Sequence, residues 1–73
     1  MRTRYKHIHS ERLGEEDLAK PVFVCKRNKL NFCVLGEAGY SPHWEKYLFI
    51  TKPNTALDAT ILKEIAKFLK QLK

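Results

Sequence analysis

No stretch of this 73-residue chain approaches the roughly 18 to 20 consecutive apolar residues that a bilayer-crossing helix needs. Integral membrane association is therefore not expected, and membrane contact reduces to surface binding by the last segment. No charged-then-apolar leader opens the chain. Cysteine is scarce: Cys25 and Cys33 are the only two, too few for a disulfide scaffold, and both read as reduced thiols in a cytoplasmic protein. Their seven-residue gap also lacks the tight Cys-x-x-Cys spacing of small zinc modules. Glycine is equally sparse, at three residues, and no Gly-rich phosphate loop, HExxH motif or Gly-x-Ser-x-Gly elbow occurs. No cofactor or metal is called for, and the chain is not read as an enzyme.

Acid is outnumbered by base. Fourteen Lys and Arg against eight Asp and Glu give a formal charge of +6, a bias that suits polyanionic partners such as nucleic acid. Arg2, Arg4, Lys6 and Arg12 crowd the start, and Lys20, Lys26, Arg27 and Lys29 the middle, whereas acid gathers at Glu15, Glu16 and Asp17. The apolar fraction of 44% is ordinary for a globular chain, so a single ordered domain spanning 1–73 is expected rather than disorder. A chain this short hides only about 60% of its unfolded surface. Its core is thin, and a homodimer is one way to complete it.

The clearest local signal lies between Thr55 and Lys73. Leu57, Ile61, Ile65, Phe68, Leu69 and Leu72 recur at three- and four-residue steps, one stripe of a helix, while Lys63, Lys67 and Lys70 keep the same period on the other side. Thr55 is expected to cap this helix, with Asp58 three residues on. Upstream, residues 2 to 9 alternate as an edge strand that puts Tyr5 and Ile8 on opposite sides. Ser10 to Lys20 reads as a turn with one or two helical turns, stopped by Pro21. Val22 to Arg27 and Leu30 to Leu35 are β-rich runs flanking Asn28-Lys29, the spacing of a two-residue hairpin. That turn would place Phe23 opposite Val34, Cys25 opposite Phe32, Val24 opposite Cys33 and Val22 opposite Leu35. Residues 36 to 45 read as a loop because two glycines and a proline interrupt either regular period. Tyr47 to Thr51 resumes a strand that Lys52-Pro53 ends.

The sum is an α+β domain: a small antiparallel sheet of three to four strands, a C-terminal amphipathic helix packed on one face, and a short helix or turn after the first strand. The far sheet face stays open to a ligand, a nucleic acid strand or a second subunit. The order helix, strand, strand, strand, helix between Ser10 and Lys73 is similar in topology and length to a double-stranded-RNA-binding domain. That family grips phosphates with lysines at the start of its last helix, where this chain carries Asn54, Thr55, Ala56, Leu57 and Asp58. Four strands followed by a helix are equally similar to single-strand-binding coactivator-like folds.

Candidate chemistry follows from this layout. If the first strand and the hairpin tip lie side by side, Arg2, Arg4, Lys6, Lys26, Arg27 and Lys29 would neutralise phosphates of DNA or RNA, with Tyr5, Tyr40 and Trp44 stacking bases. This non-catalytic nucleic-acid-binding regulator is the preferred reading. The alternative is a protein-binding regulator or inhibitor using Tyr40, His43 and Trp44 in the 36–45 loop, or the open sheet face. His7 and His9 form a His-x-His pair that a strand would point to one side. With Cys25, Cys33 and His43 they admit a zinc site on paper. With Glu37 or Glu45 the histidines admit a small ribonuclease-like activity.

Overall fold

The computed structural model describes residues 1–13, 20–29 and 33–72. Within them the chain forms β1 (Ile8–Leu13), β2 (Val22–Arg27), β3 (Val34–Ser41), β4 (Lys46–Thr51) and α1 (Ala59–Gln71). The strands make one antiparallel sheet in the order β1-β2-β3-β4, with no crossover, and α1 covers one face, as the expected α+β layout requires. Ile61, Ile65 and Phe68 are the buried helix residues. They meet Tyr5, Ile8, Phe23, Cys25, Leu35 and Ala38 from below, with Leu57, Phe49, Leu69 and Leu72 packed around. The Phe68 ring stands edge-on to Phe23 at 5.2 Å between centroids. Burying side chains of this size contributes about 1.5–3 kcal/mol each.

The helix starts later than its periodicity suggests. Asp58, not Thr55, is the N-cap, its side chain accepting from Ile61 N at 2.8 Å. A carboxylate there satisfies an orphan N–H and meets the positive end of the helix dipole. Leu57 belongs to the apolar stripe and packs on the core from the extended approach to the helix.

The N-terminal segment differs more. Instead of one strand over 2 to 9, β1 begins at Ile8 and the preceding residues fold back along it. Tyr5 N donates to Ile8 O (2.7 Å), Ser10 N donates to Thr3 O (2.8 Å), and Arg4 bridges His9. This tight turn carries Tyr5 and Ile8 into the same core, at 7% and 0% exposure, rather than to opposite sides. Ser10 to Leu13, expected to begin a short helix, are strand. The rest of that expectation, residues 14 to 19, lies outside the described residues.

The β2–β3 register is also shifted. Phe23 pairs with Ala38, Val24 with Glu37, Cys25 with Gly36 and Lys26 with Val34, with a bulge after Cys25. Asn28 does not make a hairpin turn because its groups are already engaged: its N–H donates to His7 O (2.9 Å) and its side-chain amide to Tyr5 O (2.8 Å). The connection therefore runs on to Cys33; residues 30 to 32, including Phe32, lie outside the described residues. As a result β3 passes through most of the segment expected as loop, and only residues 42 to 45 turn. Gly36, read as a breaker, is a packing requirement instead, since a Cβ there would stand 2.3 Å from Ile50 O.

One carboxylate locks the first turn to the helix. Glu64 accepts from His7 N (3.0 Å) and from His7 Nδ1 (2.7 Å). Burial pushes its pKa up, but the hydrogen bonds from the His7 ring and backbone outweigh this and hold it below the usual carboxylate value of 4.5. A depressed folded-state pKa stabilises the fold above the unfolded value, and that contribution disappears as pH falls through the folded one. We expect stability to drop on acidification below about pH 4.5, and Glu64→Ala to flatten that limb while costing about 1–3 kcal/mol at neutral pH; urea midpoints measured against pH check both. Gly36→Ala should lower the neutral-pH urea midpoint by the equivalent of about 1–3 kcal/mol, because the contact is with backbone that cannot swing aside.

Candidate functional surfaces

Pairing of β1 with β2 sets His9 beside Lys26 and Ile8 beside Arg27. Asn28 then fastens the N-terminal turn to the end of β2, its Oδ1 taking the His9 Nδ1 bond at 2.7 Å. The two basic segments that sequence reasoning wished to place side by side are therefore neighbours. Arg4, Lys26, His9, Thr3, Ser10 and Glu11 line a depression of about 510 Å³. Lys6 and Lys29 are exposed in the adjoining turns and Arg27 is half-buried. Glu11 accepts from Lys26 Nζ at 3.2 Å and lies 3.1 Å from His9 Nε2. The Lys26 hydrogen bond, then that of His9, holds its carboxyl below the usual value.

Two members of the expected set go elsewhere. Tyr5 is buried, its hydroxyl accepting from Gln71 Nε2 (3.1 Å), so its faces are not free to stack a base. Arg2 lies over that ring at 4.3 Å and donates through Nε to Arg4 O (3.1 Å). It thereby closes the core beside the helix end instead of lining the depression with Arg4. The His-x-His pair also diverges: His7 turns to Glu64 on the helix, whereas His9 turns to Asn28 and Glu11. A strand would have aligned them, but His7 precedes β1. Among the described residues no three His, Cys, Asp or Glu side chains gather where a metal ion could be held.

The sheet face turned away from α1 carries a second surface toward β3 and β4. Ala38 and Phe49 point to the helix side, so the alternate pairs Glu37–Ile50, Gly39–Leu48 and Ser41–Lys46 point away from it. Nothing among the described residues covers them. Trp44, in the turn that closes β3 and β4, is 61% exposed and Ile50 is 67% exposed. A depression of about 380 Å³ runs between Trp44, His43, Val22, Leu48 and Glu37. A second, about 230 Å³, continues past Glu37 and Ile50 to Val34 and Pro53. Of the alternative site residues, His43 and Trp44 stay together, ring edge to face at 6.4 Å. Tyr40 instead stands on the helix side, edge-on to Tyr47 at 5.7 Å with Lys20 Nζ 4.3 Å above it. The sequence does not show Glu37 and Ile50 as a surface pair, because its glycines make residues 36 to 45 read as loop, whereas β3 runs through Glu37 and pairs it with Ile50 on β4.

Comparison with protein-family models, with curated proteins and with solved structures finds no match to this chain.

The cysteines separate cleanly. Cys25 is fully buried against Ser10, its Sγ 3.1 Å from the hydroxyl oxygen, and burial pushes its thiol pKa up against the opposing hydrogen bond. Cys33 is exposed. In native protein a disulfide-exchange reagent should therefore titrate one thiol promptly and the second only on unfolding; two fast thiols would contradict this core.

Proposed function

We propose that this chain is a small non-catalytic nucleic-acid-binding protein that grips phosphates at the margin of β1 and the end of β2. The observation that carries the reading is the depression shared by Arg4 and Lys26, with Lys6, Arg27 and Lys29 fastened beside it through Asn28. Cations on two tied segments are pre-positioned, so little chain entropy is lost when a phosphate arrives. Glu11 orients Lys26 before binding and subtracts one positive charge from the site. With Tyr5 buried, contact is to the backbone of the polyanion more than to its bases, which makes the binding electrostatic and weakly selective.

Affinity for a nucleic acid oligomer should fall steeply between about 50 and 200 mM salt. Arg4→Ala with Lys26→Ala should weaken binding and reduce the salt slope by about 2, roughly one per lost phosphate contact. Glu11→Gln should strengthen binding. Fluorescence anisotropy with labelled oligomers reads all three, and a flat salt response, or no binding at low salt, rejects the reading. The exposed Trp44 favours a second reading, a protein-binding surface on the open sheet face.

A further inference from the structure

The open face has features that repeat about a single point, the Gly39–Leu48 pair. One step along the sheet lies the Glu37–Ile50 pair and one step the other way Ser41–Lys46, each about 7 Å distant at two residues per step. Glu37 and Lys46 thus carry opposite charges on either side of the same centre. Neither side chain has an ion pair or hydrogen bond among the described residues, although Glu37 is flanked by apolar Val24 and Ile50. Farther out, the exposed Trp44 ring stands at one end, and the 230 Å³ depression rimmed by Val34, Ile50 and Pro53 opens at the other.

We infer that the open sheet face is the interface of a two-fold homodimer, in which Trp44 of each chain enters the depression at Val34, Ile50 and Pro53 of the other and Glu37 meets the other chain's Lys46. A two-fold axis lying between the sheets and crossing the strands at Gly39–Leu48 exchanges the two ends of the face. That operation brings knob to hole and acid to base twice over, as an isologous interface requires. It also accounts for Gly39. An added Cβ there would meet only Val22 Cγ2, at 3.9 Å, so crowding within the chain does not demand a glycine, whereas a sheet packed about 10 Å away is best served by a flat centre. Covering the face supplies the second apolar layer that so short a chain lacks. Glu11, which lines the basic depression, lies in the same cross-strand row as Glu37 and Ile50, but the inference does not rest on the nucleic-acid reading.

Sedimentation velocity of the full chain over a range of concentrations tests it. The wild type should approach twice its 8.6 kDa chain mass, and the emission of its single tryptophan should shift to the blue as dimer forms. Trp44→Ala should weaken the dimer by about tenfold or more. Glu37→Lys or Lys46→Glu alone should weaken it similarly by setting like charges together, while the double swap restores association to within about threefold of wild type. All three side-chain changes fall on exposed positions, and circular dichroism and urea midpoints of the monomeric variants should match those of a native fold. Since each chain is positively charged, dimerisation should strengthen with salt, opposite to nucleic acid binding. A wild type that stays monomeric at several hundred micromolar, or a dimer indifferent to Trp44→Ala and to Glu37→Lys, overturns the inference.

Discussion

Asn28 holds together the parts of this molecule that local sequence would have left apart. Its backbone and side-chain N–H groups bind the carbonyls of His7 and Tyr5, and its side-chain oxygen accepts from His9. Those bonds fix a tight N-terminal turn against the end of β2. Because the turn is fixed, Tyr5 and Ile8 both reach the core. Because Asn28 is engaged, β2 cannot reverse at once, and the register with β3 slides to pair Cys25 with Gly36. The Glu64 carboxylate completes the arrangement by tying the same turn to α1.

From that register the two surfaces follow. One edge of the sheet gathers cations on the segments Asn28 joins, with Glu11 as the acid that orients Lys26. The far face presents Glu37, Gly39, Leu48 and Ile50 beside Trp44. Helix α1 occupies the other face and brings exposed Lys63, Lys67 and Lys70 to the solvent side, where Lys70 also complements the helix dipole at its last turn.

Glycine misled the sequence reading in an instructive way. Gly36 and Gly39 interrupt the hydrophobic alternation, so period alone makes their segment a loop. In the fold they are strand. Gly36 is there because the backbone of Ile50 leaves no room for a side chain. That reason is not local, since it depends on what lies across a neighbouring strand. The same limit applies to the histidines. His-x-His spacing implies a shared side only if both residues are strand, and the turn that excludes His7 from β1 is closed by Asn28, nineteen positions from His9.

What the sequence determined by itself is what depends on period and composition: the amphipathic last helix with its Ile61, Ile65 and Phe68 stripe, the strand from Tyr47 to Thr51, the α+β layout and the basic balance. These survive because an apolar stripe must be buried whatever it is buried against. Strand register, the fate of Tyr5, the divergence of His7 and His9, and the pairing of Glu37 with Ile50 were decided only by tertiary structure. Each turns on which of several distant hydrogen-bond partners a side chain or peptide group finds, and a linear pattern carries no information about that choice.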